Sequence, residues 1–346
     1  MRSMAKPNRL QTIFVVCASF LLVSCCAISQ DSATAKPDSA TVQADLDRAH
    51  LIAGDNPNLQ MTLTLCMNWP AYRTWMQQRP GAKNVAQFKA FDQLYYFGME
   101  SVGSWALVTS DGIIQFDALD NTEEAERIII GGYKKFGLDP HQMKYLIITH
   151  FHGDHSGGAK YLQDTYHPHV ILSAGDWDAL AKVPATRPDG TPNPVPPARD
   201  MEATDGQKLT LGNQTVTFWL TPGHTPGPIS SIFQVTDNGT PHTVSFLGGT
   251  AFPQNMNNIL MSRHSLERFT KISEDAHADV VLSNHTWFDN SYEGNDTDKM
   301  SLLAQRKSGG PNPFVVGENE MVRYMMVNLA CEQAAEDRLK EQPAGQ

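Results

Sequence analysis

Thr149-His150-Phe151-His152-Gly153-Asp154-His155 follows immediately on the short apolar run Tyr145-Leu146-Ile147-Ile148. An apolar run bounded by polar residues reads as a buried strand, so the cluster occupies the loop at that strand's C-terminal edge. Three imidazoles and a carboxylate within six residues offer the nitrogen and oxygen donors that zinc takes, and Gly153 lets side chains converge from two directions. So many polar groups beside a buried strand would be destabilising without a common partner. The stretch reads as part of a metal site and not as a solvated turn.

One cluster holds too few donors for two metals, and the strand-then-histidine arrangement returns twice downstream. Thr221-Pro222-Gly223-His224-Thr225-Pro226-Gly227 follows a strand read at Thr215 to Leu220, and its Pro/Gly punctuation fixes His224 on a rigid loop. Ser283-Asn284-His285 follows the apolar strand Val280-Val281-Leu282. Alone, His285 would pass as an incidental histidine; third in this series, it reads better as a ligand. The other seven histidines, among them His141, His167, His169, His242, His264 and His277, lack such a context and read as surface or packing residues.

Around these loops, strands and helices alternate. Asp92 to Gly98, Trp105 to Thr109 and Ile113 to Phe116 are strand runs, the last two joined by the turn residues Ser110-Asp111-Gly112. An amphipathic helix spans Thr122 to Phe136, with Asn121 or Thr122 as cap and Gly137 as stop. A helix near Gly158 to Thr165 and a strand at Val170 to Leu172 follow. Strand pairs come next, Lys208 to Leu211 with Thr215 to Leu220 and Ser231 to Val235 with Thr243 to Leu247. Helices from Ser265 to Ala278 and from Asn319 to Lys340 complete the pattern. Six prolines make Val183 to Arg199 a long surface loop and a candidate flank of the site. Strands followed by helices, twice over, fit an α+β chain folded as an αββα sandwich, two mixed sheets with helices outside.

Upstream, the basic segment Met1 to Arg9 precedes an apolar stretch, Leu10 to Val23, too short to span a bilayer; residues 1–27 read as a secretory signal. Leu22-Val23-Ser24-Cys25 has the form of a lipobox, which leaves a lipid on Cys25 tethering the chain to a membrane, or ordinary cleavage after Ala27. An uncleaved anchor is the third reading, disfavoured by the short run. A signal of this kind implies a secreted or periplasmic protein. Residues 28–45 read as a flexible tether, 46–90 as a helical extension bearing Trp69, Tyr72, Trp75 and Met76, and 91–342 as the catalytic domain. Of five cysteines, only Cys66 and Cys331 fall in the folded body, where they form one disulfide or remain two buried thiols. The net charge of −10 argues against a nucleic-acid binder, and 41% hydrophobic residues over 346 positions exclude a disordered chain.

The His-x-His-x-Asp-His signature, the TPGHTPG segment and the late histidine, with Phe116-Asp117 ahead of them, resemble the metallo-β-lactamase-fold hydrolases over about Asp92 to Phe288. By that resemblance, His150, His152 and His224 hold a first Zn2+, and Asp154, His155 and His285 a second, two per chain. Asp154 would also take part in catalysis, orienting water toward a small-molecule carbonyl substrate. Glyoxalase II and the lactonases of this superfamily place a metal-bridging aspartate after the strand preceding the last histidine. Here Ser245 to Phe252 contains no acid, and no cysteine of the subclass-B1 kind. The Asp-His-His set resembles instead the subclass-B3 metallo-β-lactamases, which open the β-lactam amide. The loop lacks the serines that often hold a substrate carboxylate in that subclass: Gly248, Gly249 and Ala251 offer no side-chain donor. That leaves Thr250, with Arg263 further on, as candidate substrate contacts. The same chemistry on a lactone, ester or thioester is the alternative, ahead of a non-catalytic metal binder.

Overall fold

The computed structural model describes residues 37–78, 84–250 and 255–341; the signal segment, Cys25 and the tether up to residue 36 lie outside the described residues. Strands β1 (Val85–Lys89), β2 (Leu94–Met99), β3 (Trp105–Thr109), β4 (Gly112–Phe116), β5 (Met143–Ile147), β6 (His169–Ser173) and β7 (Met201–Ala203) form one sheet in sequence order. The second sheet has the order β12-β11-β10-β9-β8, from β8 (Lys208–Leu211), β9 (Gln214–Leu220), β10 (Ile229–Asp237), β11 (Thr240–Leu247) and β12 (Val280–Ser283). Both sheets are mixed: β4, β5, β6 and β7 pair in parallel, as do β11 and β12, and the remaining pairs are antiparallel.

Side-chain alternation explains the layers. On β5, Tyr145 and Ile147 face the core between the sheets and Leu146 faces the helices, while a register shift against β4 turns Met143 to the helix side as well. Between the sheets Phe116 stacks on Phe233, with 5.4 Å between ring centroids, and meets Phe246 edge-on. Outside the first sheet lie α4 (Thr122–Glu124), a π turn (Ala125–Ile130), α5 (Gly131–Lys135), α6 (Gly153–Ser156), α7 (Ala159–Tyr166) and α8 (Ala174–Leu180). The second sheet is covered by α9 (Met256–Asp275), α11 (Glu318–Lys340) and the N-terminal helices α1 (Ala40–Ala53), α2 (Pro57–Thr62) and α3 (Trp69–Gln78). The short α10 (Lys299–Ala304) precedes α11. The result is the αββα sandwich.

Several boundaries differ from the sequence reading. The tether does not run to residue 45: Ser39 caps α1, its hydroxyl accepting from Val42 N, and Val42, Ala49 and Ala53 are buried. Three small apolar residues suffice to seat this helix against α11, although its composition is that of a linker. The extension over 46–90 is neither wholly helical nor separate. Residues 85–89 form the edge strand β1, its hydrogen bonds completed by β2, and Pro37 onward forms one compact unit. Helix α9 starts nine residues before Ser265, because Asn255 accepts from Asn258 N as its cap and Ile259 is buried. Cys66 and Cys331 are joined in a disulfide that ties the turn after α2 to α11 across 265 residues of sequence. Among the described residues, no helix is long and apolar enough to cross a membrane.

Candidate metal centre

Strand ends deliver the site. Strand β4 leads into Asp117, β5 into Thr149 to His155, β9 into the His224 loop, β11 into Gly248 and β12 into His285, and backbone bonds lock these ends together. Asp117 N donates to Ile147 O, and Ile229 N donates to Thr149 O. Glycine is required twice for close approach. A Cβ at Gly157 would lie 1.9 Å from Asp120 O, and one at Gly248 would lie 2.0 Å from Ile229 O.

The structure brings all six sequence-derived candidates into two groups, His150 with His152 and His224, and Asp154 with His155 and His285; within each, the donor atoms lie within 4.8 Å of one another. Their proton directions are set from behind. His150 Nδ1 donates to Gly248 O at 2.9 Å, His155 Nδ1 to Asp117 Oδ2 at 2.9 Å and His285 Nδ1 to Ser101 O at 2.7 Å. Acceptors on Nδ1 direct each Nε2 toward the centre. There His150 Nε2 lies 3.2 Å from His224 Nε2, and His155 Nε2 lies 3.3 Å from His285 Nε2 and from Asp154 Oδ2. Two donors bound tetrahedrally to one zinc at about 2.0–2.1 Å stand about 3.3 Å apart, so the spacing and chemistry of both groups fit zinc.

Titration differs between the groups. Burial, reinforced by His155 and His224, holds His150 well below the ordinary imidazole range, and burial also lowers His152. Burial and His155 depress His285 to about 4. For His155, burial is outweighed by the Asp154 and Asp117 carboxylates, which raise it. Burial would raise Asp154, yet His155, His285 and His152 hold it below the usual carboxylate range. To hold a metal, the second group would need His155 neutral, with Nδ1–H toward Asp117.

Two supporting acids have roles that strand-by-strand reading did not assign. Asp117, fully buried at φ 58°, accepts from Thr149 N at 2.7 Å, from Thr149 Oγ1 at 2.9 Å and from His155 Nδ1. Asp176 accepts from Phe151 N, Thr225 Oγ1 and Gly227 N, clamping the first histidine loop to the His224 loop; burial pushes it up to about 6. Only the order Phe116-Asp117 hinted at the first. Asp176 left no signal, because its partners are remote in sequence.

Both candidate substrate contacts are engaged within the protein: Thr250 is buried and its hydroxyl donates to Asn284 Oδ1. Arg263 lies on α9 and its guanidinium is bound to Glu336 and Gln333 of α11, because that helix presents a carboxylate within reach. The proline-rich loop does flank the centre: Val183, Pro194, Val195 and Pro196 line a cavity of about 210 Å³ with Phe151 and His152. The N-terminal extension reaches it too. Trp75 of α3 meets Trp287 edge-on at 5.2 Å, and Trp287 stacks on His285 at 5.9 Å and 6°. Of the other histidines, His169, His242 and His277 pair with Asp200, Asp279 and Glu318. The side chain of Trp69 is outside the described residues.

Residues 100–238 match the family model of the metallo-beta-lactamase superfamily. The chain carries a metallo-beta-lactamase superfamily domain. Native FEZ-1 metallo-beta-lactamase from Legionella gormanii superposes with a TM-score of 0.62 at 21% identity, over 76% of this chain and 100% of that one. BJP-1, a subclass B3 metallo-beta-lactamase of Bradyrhizobium japonicum, gives a TM-score of 0.57 at 23% identity, over 72% and 92%. These likenesses show the metallo-beta-lactamase fold. Among curated relatives, the uncharacterized protein YobT of Bacillus subtilis is 34% identical over 115 residues, 32% of this chain and 46% of that protein. Hydroxyacylglutathione hydrolase of Neisseria gonorrhoeae is 27% identical over 132 residues, 37% of this chain and 44% of that protein. The chain thus spans less than half the length of the curated relatives it matches.

Proposed function

We propose that this chain is a secreted or periplasmic two-zinc hydrolase of the subclass-B3 kind, opening the amide of a β-lactam. The carrying observation is the pair of converging three-donor groups, the second made of Asp154, His155 and His285 with neither an added acid nor a cysteine. His150, His152 and His224 would hold one Zn2+, and Asp154, His155 and His285 the other. Zinc, when bound, lowers the pKa of water toward neutrality and polarises a carbonyl. Asp154, one-third exposed, would orient a water for attack, while Asp117 and the Gly248 carbonyl hold His155 and His150 with Nδ1–H turned away from the centre. Phe151, Pro194 and Val195 would give the substrate an apolar wall on the His152 side. No Ser or Cys nucleophile is needed. The Cys66–Cys331 disulfide supports an oxidising compartment, and Cys25 is the proposed lipid attachment point.

Hydrolysis of a lactone, ester or thioester is the second reading. It is favoured by the match to the gonococcal hydroxyacylglutathione hydrolase and by a Gly248–Thr250 loop that presents no side-chain donor to a substrate carboxylate. The test is turnover of a chromogenic cephalosporin, a carbapenem and a thioester by the purified mature protein, with zinc and after chelation. Chelator-sensitive β-lactam turnover supports the first reading. Thioester turnover without β-lactam turnover replaces it with the second.

A further inference from the structure

Asn284 stands between β12 and the ligand His285, fully buried, and its carboxamide touches two of the segments that build the metal centre, the Gly248–Thr250 loop and the loop that opens at Thr149. Nδ2 donates to Gly248 O at 2.8 Å and to Thr149 Oγ1 at 3.2 Å, and Oδ1 accepts from Thr250 Oγ1 at 3.0 Å. The orientation of the amide follows from chemistry: a backbone carbonyl only accepts, so the nitrogen must face Gly248 O. Asn284 Nδ2 and Thr149 Oγ1 also lie 3.3 Å from His150 Nδ1, and the shorter bonds to pure acceptors assign the protons. Gly248 O accepts two donors, Asn284 Nδ2 and His150 Nδ1, which occupy its two lone pairs. Thr149 Oγ1 gives its single proton to Asp117 Oδ2 and so has a lone pair for Asn284. Asp117 Oδ2 takes the remaining proton from His155 Nδ1.

We infer that Asn284 is a positioning residue, which, through the shared Gly248 carbonyl and Thr149 hydroxyl, sets the tautomer of His150 and the spacing between the two donor groups before any metal arrives. The backbone contributes as well, since Gly103 N donates to Asn284 O at 2.7 Å and holds the turn between β2 and β3 against the same point. Asn284 itself coordinates nothing. Its place next to a metal ligand in sequence is incidental to the task, which is to present two donors and one acceptor to two remote segments. A carboxylate of the same shape cannot do this, because it would aim lone pairs at Gly248 O and carry a charge into a fully buried site. The inference rests on the zinc-site reading for its affinity readout, but not for its tautomer readout.

Two measurements on the full mature protein test it. Long-range 15N–1H NMR of histidine-labelled, metal-free protein should show His150 protonated at Nδ1 in the wild type and a mixture of tautomers, or Nε2 protonation, in Asn284→Asp. Zn2+ titration against a chromogenic chelator should show about 10- to 100-fold weaker binding in N284D. Asn312→Ala serves as the structural control, since Asn312 is another buried asparagine, bonded to Ala90 O and Phe314 N; it should lower the melting temperature without changing either readout. If N284D does not fold, Thr250→Val removes the partner of Oδ1, and the same change in smaller degree is expected. An unchanged His150 tautomer in the folded Asn284 or Thr250 variants overturns the inference. Absence of zinc binding by the wild type overturns the zinc-site reading and leaves the tautomer comparison to decide this one.

Discussion

At the metal centre, His150, His155 and His285 turn Nδ1 toward an acceptor, Gly248 O, Asp117 Oδ2 or Ser101 O, so that position is encoded in the direction of protons. In the helical frame across the second sheet, α1, α2 and α11 meet mainly through apolar contacts at Ala49, Leu59 and Met325, with Arg323 bonded to Ile52 O and Arg338 to Asp38 at the margins and the Cys66–Cys331 bond closing the frame. The first region has geometry that fails when one donor is misdirected. The second has stability that degrades gradually and tolerates local change. Function and stability should therefore separate under mutation, with Trp75–Trp287 and Tyr72–Phe288 as aromatic bridges from α3 to His285.

The sharpest break is expected from Asp154→Ala or His224→Ala. Either should bring turnover to background while circular dichroism of the metal-free protein stays that of the wild type; retained activity in both would sink the site. In the opposite direction, Cys66→Ser with Cys331→Ser should cost about 2–5 kcal/mol of stability in denaturant melts, because the bond closes a very long loop. Below the unfolding transition, zinc stoichiometry should be unchanged. Loss of zinc along with the disulfide would mean that the frame and the centre are a single unit.

Asp117→Asn sharpens the contrast within the centre. The amide keeps one acceptor oxygen, so it loses either the bond from Thr149 N or those from Thr149 Oγ1 and His155 Nδ1, and zinc affinity should fall about 10- to 100-fold, more at the second group than at the first, as read by calorimetry. The smallest effect concerns Glu332 of α11, which burial pushes up to about 8, with Ser262 Oγ donating to Oε1. Its folded pKa exceeds the unfolded value, so the folded chain keeps a proton that the unfolded chain releases. This contribution is fully present below about pH 4.5 and is lost as pH rises through about 8, at a slope of at most about 1.4 kcal/mol per pH unit. Glu332→Gln should flatten that slope in melts between pH 5 and 8 without altering zinc binding.

Three strand-then-histidine passages carried enough local information to be read directly. Each combines an apolar run with a Pro/Gly- or histidine-dense loop, and both features depend only on neighbours in sequence; the αββα layering followed from the alternation of such runs. Helix α1, strand β1 and the first turns of α9 escaped notice for the opposite reason. Their apolar signal is weak, and α11, β2 and the Asn255 cap supply what local propensity does not. Donor identity was local as well: His150, His152, Asp154 and His155 lie on one loop, and a residue's ability to ligate is a property of its side chain.

Everything that makes those donors a site depended on distance across the fold. Thr250 and Arg263 looked like substrate contacts because of their place in the chain, but the packing of β12 and α11 behind them supplied Asn284 and Glu336 as partners within the protein. Asp117, Asp176 and Asn284 are unremarkable in sequence, and their partners lie 25 to 135 residues away. A hydrogen bond selects one geometry among partners that only the folded backbone brings within 3 Å, so which proton each histidine carries was decided by tertiary structure alone.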